Sequence, residues 1–305
     1  MEMKPNTVGA VVVTYNRRHL LERVLDSLLA QTRPVDHIYI VDNASTDGTA
    51  EYLSSLDIPK ISIRRMPANT GGAGGFSHGM KWAFDEGHEW IWLMDDDVAQ
   101  TTHCLEALLR AGIKAKILLP LAMSEDGGHL AGLAMHLNLT SPFRLGFKHR
   151  TAIELYPTTE SLPALLPLED LSFEGPLIHR SVPECIGFPR ADFFIGCDDT
   201  EYVIRVLRAK LGPILLVRDA AMKRLASQPA VYPMWRMYYQ LRNDLIIRSS
   251  YGVPLLRTRV RLMFILRTLL GYCLRKDSID TTRVRVHAFI DSLPGRELTK
   301  RYLPG

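Results

Sequence analysis

Three consecutive aspartates, Asp95-Asp96-Asp97, directly follow the apolar run Trp90-Ile91-Trp92-Leu93-Met94. Carboxylates this close repel one another and shift one another's pKa, so the triplet calls for compensation. A divalent cation that is held by carboxylate oxygens and touches a substrate phosphate would supply it. An acidic turn capping the next helix would fit the same residues. A second pair, Asp198-Asp199, follows Phe193-Phe194-Ile195-Gly196-Cys197. Aspartates there cap a helix, or one acts as general base on an acceptor hydroxyl with the apolar residues as its wall.

Two further stretches carry chemistry-bearing residues. In Asn69-Thr70-Gly71-Gly72-Ala73-Gly74-Gly75-Phe76, glycines at a strand-to-helix turn would let backbone N–H groups approach a phosphate. The third glycine of the dinucleotide fingerprint and the Gly-Lys-Ser/Thr ending of a P-loop are both missing; a flexible turn fits equally. Trp235, Tyr238, Tyr239 and Arg242 share one helical stripe. That stripe is either an aromatic core face or a mount for Arg242 against an anionic phosphate.

The elements that must position these groups alternate. Val8–Thr14, His37–Val41, Ile61–Arg65 and Trp90–Met94 read as strands, the last covered on both faces. The spacing predicts helices over Arg18–Gln31, Ala50–Leu56 and Phe76–Glu86. Such alternation builds a largely parallel α/β sheet, whose ligands bind beyond the carboxyl ends of the strands. Thr14, Asp42, Asn69 and the triplet all fall at or just after strand ends. Leu118–Pro176 shows little regular pattern. Beyond it, Asp198–Leu211 reads as a helix stopped by Gly212-Pro213, Ile214–Val217 as a strand, and the chain after Pro233 as helical, aromatic and basic.

The 305 residues carry a net charge of +4, unevenly spread: residues 230–305 hold 14 Arg and Lys against 5 Asp and Glu. A basic tail on an acidic body suits an anionic partner. No stretch there reaches the roughly 18 apolar residues of a spanning helix. The four cysteines lack metal spacing and read as reduced thiols of a cytoplasmic protein. The opening residues carry no signal-peptide pattern.

The chain resembles family 2 glycosyltransferases with the GT-A fold, and within them bacterial galactofuranosyltransferases and rhamnosyltransferases. The resemblance runs over Val11–Asn16, Val41–Thr49, Asn69–Phe76, Trp92–Asp97, Cys197–Tyr202 and Tyr238–Asn243. It implies a GT-A catalytic domain over 1–230, with a donor half to about 118 and an acceptor half beyond it, followed by a helical basic region over 231–305. Thr14 and Asp42, with Tyr15 and Asn16 beside them, would contact the donor's base and ribose. Asn69, Gly71 and Gly72 would line its diphosphate or sugar, Asp96 its ribose or sugar, and Arg242 a phosphate. Asp95 and Asp97 would hold Mn²⁺ or Mg²⁺. Asp199 would be the catalytic base, with Asp198 beside it on acceptor or sugar. The family's histidine metal ligand is absent: Asp219-Ala220-Ala221-Met222-Lys223-Arg224-Leu225 stands there, so either Lys223 or Arg224 would meet the diphosphate or the metal would keep an extra water.

The expected reaction is inverting transfer of galactofuranose from UDP-galactofuranose, or of rhamnose from dTDP-rhamnose, to a saccharide or lipid-linked saccharide. The rivals are a non-catalytic nucleotide-sugar binding module and a nucleic-acid binder; the latter leaves the acidic sites without a role. The basic tail over Arg257–Arg285 fits either peripheral attachment to an anionic leaflet on the cytoplasmic face or a solvated helical face.

Overall fold

The computed structural model describes residues 6–124, 128, 132–141, 148–226, 233–296 and 301–303. The first half alternates as the sequence predicts: β1 (Val8–Thr14), α1 (Arg18–Leu29), β2 (His37–Asp42), α2 (Thr49–Ser54), β3 (Ile61–Arg65), α3 (Gly71–Asp85) and β4 (Trp90–Asp95). Leu21, Val24, Leu25 and Leu28 of α1 are buried on one face of the sheet. Fully burying each stabilises the fold by roughly 1.5–3 kcal/mol. Gln31, expected inside α1, lies beyond it. Its Nε2 donates to the carbonyls of Ser27 and Thr101 and its Oε1 accepts from Leu105 N.

After the triplet the chain forms β5 (Val98–Gln100), not a helix, and α4 (Cys104–Ala111) comes later. Asp95 therefore ends β4, Asp96 and Asp97 form a tight turn into β5, and none of the three caps a helix. Next come β6 (Ile117–Met123), β7 (Ala134–Leu137), β8 (Lys148–Thr151), α5 (Ala152–Leu155), β9 (Leu165–Leu168), β10 (Leu177–His179), α6 (Ser181–Ile186) and α7 (Asp198–Arg208). β11 (Ile214–Arg224) runs seven residues past the predicted Val217, across an irregularity between Val217 and Ala221 that keeps it paired with β6. The chain ends in α8 (Met234–Tyr251), α9 (Pro254–Cys273) and α10 (Ile279–Asp291).

The main sheet has the order β3-β2-β1-β4-β10-β6-β11-β5, with β9 also on β11. It is parallel from β3 to β4, as expected. β10 then enters antiparallel to both β4 and β6, and β6 with β11 restores a parallel pair. One apolar layer fills each face. β7 and β8 form a separate antiparallel ribbon.

The glycine cluster corrects the expected turn. α3 starts at Gly71, five residues before Phe76, so the glycines lie in the helix. They let α3 lie close on β1: a Cβ on Gly75 would stand 2.4 Å from Val13 Cγ1, and one on Gly79 2.3 Å from Val11 Cγ1.

Candidate functional site

A cavity of about 360 Å³ opens beyond the carboxyl ends of β1 and β4. Parallel pairing sets Val13 opposite Asp95, so the ends of both strands reach the same rim. Thr14, Tyr15, Asn69, Gly71, Gly72, Asp95, Asp96, Asp97 and Arg224 line it, as the sequence suggested. Phe194 and Ile195, expected as an apolar wall, and Trp235 of the aromatic stripe also line it, and Arg17, Asn43, Glu174 and Arg236 join them without having been singled out.

The three aspartates have different surroundings. Asp96 is 3% exposed; Thr14 Oγ1 donates to its Oδ2 at 2.7 Å and Tyr15 N at 3.2 Å. Burial nevertheless raises its carboxyl to about 6 against the favourable Arg17 charge and the Thr14 hydrogen bond. Asp95 is pushed well above the carboxylate range by burial, then by Asp97, Glu174 and Asp96. Arg17 Nη1 lies 3.2 Å from Asp96 Oδ1 and 2.7 Å from Asp97 Oδ2. Burial works against the Arg17 charge, but Asp96, Asp97 and Asp95 outweigh it and raise its pKa. Beside the triplet, where Arg224 lies opposite Val98 in the β11–β5 pair, Arg224 pairs with Glu174, whose carboxyl is raised by burial against that partner.

Arg224 and Lys223 alternate on β11. Arg224 lines the cavity and Lys223 points to solvent, so of the two expected diphosphate contacts only Arg224 is in place.

Three other expectations are corrected. Asp42 does not line the cavity. It is 1% exposed, its Oδ1 accepts from Ser45 N at 2.9 Å, and its Oδ2 has no hydrogen-bond partner among the described residues. Its neighbour Asn43 takes the rim position and ties α3 to β2, donating to Gly71 O at 3.0 Å and accepting from Thr70 Oγ1 at 2.7 Å. Asn16 also lies off the wall: it holds a left-handed φ of 54° and braces the next loop, its Oδ1 accepting from Thr46 N at 2.7 Å. Arg242 is fully buried over the rings of Tyr238 and Tyr239. Its Nη2 donates to the carbonyls of Asp192 and Phe193, both at 3.0 Å. With Asn243, which donates to Phe193, Ile195 and Gly196, it clamps the loop that carries Phe194 and Ile195 to the cavity. The aromatic core reading of this stripe is therefore the correct one.

Asp198 and Asp199 open α7 at the end of that clamped loop, a few residues past the cavity-lining Phe194 and Ile195, and neither lines the cavity itself. Asp198 is 8% exposed, and burial, then the Asp199 charge, raises it to about 7. Asp199 accepts from Thr200 N at 2.5 Å. Its charge reaches Glu174 on the cavity wall and Lys148, whose Nζ lies 2.7 Å from the buried Asp170 Oδ2.

Among the described residues no three His, Cys, Asp or Glu side chains gather closely enough to hold a metal by themselves. Two carboxylates suffice for the magnesium pattern, in which waters and substrate phosphates complete the shell. Asp95, disfavoured as an anion among other acids, fits that use. Little in the sequence marked Arg17 or Glu174. Arg17 follows a strand end and Glu174 precedes Gly175-Pro176, but their partners lie about 80 and 50 positions away.

A parallel α/β half meeting a mixed half across such a rim is the architecture of GT-A glycosyltransferases. The solved structure of S. aureus TarS 1-349 in complex with UDP-GlcNAc superposes with a TM-score of 0.57 at 16% identity, over 94% of this chain and 82% of that one. GalNAc-T7 with UDP, GalNAc and Mn²⁺ gives 0.54 at 13% identity, over 83% of this chain and 53% of its own. The chain belongs to glycosyltransferase family 2. The sequence model "Glycosyl transferase family 2" matches residues 10–121. Galactofuranosyltransferase GlfT1 of Mycobacterium tuberculosis (strain H37Rv) is 34% identical over 246 residues, covering 78% of this chain and 77% of the relative. The dTDP-rhamnosyl transferase RfbF of Shigella flexneri is 22% identical over 302 residues, 95% and 96% of the two chains. The protein is thus a glycosyltransferase, and the rival reading as a mere binding module falls.

Proposed function

We propose that the protein transfers galactofuranose from UDP-galactofuranose, with inversion, to a saccharide or lipid-linked saccharide in surface polysaccharide synthesis. The observation that carries the donor choice is the 34% identity to a galactofuranosyltransferase over 77% of that relative's length. The end-to-end match to a dTDP-rhamnosyl transferase favours dTDP-rhamnose as the second reading. We further propose a catalytic domain over 1–230, a helical basic region over 231–305, and a cytoplasmic setting consistent with four free cysteines.

The geometry supports a division of labour. The nucleotide would enter along Thr14, Tyr15 and Asn43, and the diphosphate would lie between the triplet and Arg224. Asp95 and Asp97 would hold a Mg²⁺ or Mn²⁺ ion, which when bound would neutralise charge on the leaving nucleoside diphosphate. Arg224 would supply a positive charge beside the triplet, where the family's histidine is missing. Gly72 leaves open space for the sugar: a Cβ there would meet nothing within 4 Å. Asp199 would take the acceptor hydroxyl's proton as that oxygen bonds to the anomeric carbon and the bond to the diphosphate breaks. Asp198, buried behind it, would support the acceptor.

A donor screen read by product mass, with and without EDTA, tests this. Transfer of a hexose from UDP-galactofuranose is expected, and Asp199→Asn should abolish it while donor binding persists. Transfer from dTDP-rhamnose alone would exchange the two donor readings; transfer from no nucleotide sugar would overturn both.

A further inference from the structure

α9 is apolar on the side that faces away from the protein. Leu256 and Thr268 are buried beneath it. Leu255, Leu262, Leu266 and Leu269 share the opposite face at helical spacing, and their side chains are 60%, 61%, 48% and 57% exposed. Twenty residues of helix extend this face over roughly 30 Å. Among the described residues no helix is long and apolar enough to cross a membrane.

The charges along α9 are all of one sign. Arg257, Arg259, Arg261 and Arg267 lie on it, Arg275 and Lys276 follow at once, and no Asp or Glu occurs between Pro254 and Lys276. Arg257 Nε donates to Gly252 O and Arg261 Nε to Ser249 Oγ. Among the described residues none of the four α9 arginines is in an ion pair, although 19 pairs occur elsewhere, so their charge is left for a partner. A leucine face with a one-sign cationic margin is the pattern of a helix lying in the plane of an anionic bilayer. A second copy of this chain fits poorly, because a two-fold contact over this face would set two acid-free cationic helices against each other.

We propose that α9 docks this protein on an anionic lipid surface, its leucine face entering the headgroup boundary and Arg259 and Arg267, rather than Arg257 and Arg261 that bond back to Gly252 and Ser249, meeting lipid phosphates. The surface is separate from the donor cavity, to which α9 contributes no residue. The inference therefore goes beyond the donor assignment and stands or falls without it.

The full-length protein should co-sediment with vesicles of phosphatidylglycerol in phosphatidylcholine. It should do so at least about tenfold less with pure phosphatidylcholine, and binding should weaken as salt rises. The triple variant Leu262→Gln/Leu266→Gln/Leu269→Gln should lose that binding by a similar factor, with its thermal unfolding and nucleotide binding unchanged. Leu266→Trp, on a background that otherwise binds normally, should shift its emission to the blue on the anionic vesicles. The proposal is overturned by absence of anionic-vesicle binding, by binding that survives the triple variant, or by an emission from the Leu266→Trp protein that stays put. A concentration-dependent dimer in sedimentation velocity, dissolved by the triple variant with no vesicle binding by the parent, would overturn it in favour of a second copy.

Discussion

Thr14 Oγ1 donates a 2.7 Å hydrogen bond to Asp96 Oδ2, joining the end of β1 to the turn after β4. Both side chains are almost fully buried. A buried acceptor that loses its donor costs about 1–3 kcal/mol. Thr14→Val keeps the shape and β-branching but removes the hydroxyl. It should lower unfolding stability in urea by that amount at neutral pH, whereas Thr14→Ser should retain most of it. A loss in Thr14→Ser with none in Thr14→Val would mean that the methyl group matters and the hydrogen bond does not.

Asp198 makes stability depend on pH in a defined direction. Its carboxyl rises to about 7 in the fold, above the ordinary value of 3.8. Between those values the folded state holds more protons than the unfolded one, so stability falls as pH rises towards 7. Asp198→Asn removes that titration. From pH 5 to pH 8 the parent should lose on the order of 2 kcal/mol more stability than the variant. Parallel stability-against-pH curves for the two proteins would show that Asp198 is ionised throughout.

The donor half was legible because its signals are local. β1, β2 and β4 carry nearly continuous apolar or β-branched runs, and the predicted starts match those observed. The stretch from β7 to β9 was not legible, since its strands are four residues each, β7 and β8 pair only with one another, and β9 is held by the distant β11. Asn69 to Gly75 misled for a physical reason: small residues suit both a phosphate turn and a helix packed tightly on a sheet, and only β1 beneath them decides. The site was half legible. Aspartates after a strand announced themselves, but whether Asp42 or Asn43 faces the cavity, and Arg224 or Lys223, depends on strand alternation at the rim. Arg242 read equally well as an anion contact, because nothing in the sequence places the carbonyls of Asp192 and Phe193 around it.

Arg17 competes with any cation for the triplet. Its Nη1 stands 2.7 Å from Asp97 Oδ2, while the side chain is 45% exposed. Exposed pairs of this kind contribute about 0.2–1 kcal/mol. Arg17→Met should therefore tighten Mn²⁺ binding about twofold to fivefold, read by calorimetry without nucleotide. Asp97→Asn in the same background should abolish the gain. Mn²⁺ affinity unchanged in Arg17→Met would separate Asp97 from the metal.

Gly71 and Gly72 are neighbours with opposite expected tolerance. Gly71 has φ +72°, and a Cβ on it would fall 1.9 Å from the carbonyl oxygen of Phe194. That carbonyl also accepts from Ala73 N, so it cannot withdraw without breaking the link between α3 and the loop before α7. Gly71→Ala thus combines left-handed strain with a backbone clash, and should destabilise the fold by at least about 2 kcal/mol. A Cβ on Gly72 meets nothing within 4 Å. Within a helix, Gly→Ala at an unstrained position adds roughly 0.4–1 kcal/mol of stability. Gly72→Ala should therefore fold at least as well as the parent, while its new methyl group enters the space assigned to the donor sugar. The expected signature is a raised KM for the nucleotide sugar with nucleoside diphosphate binding intact. An unchanged KM in a well-folded Gly72→Ala protein would move the sugar away from the start of α3.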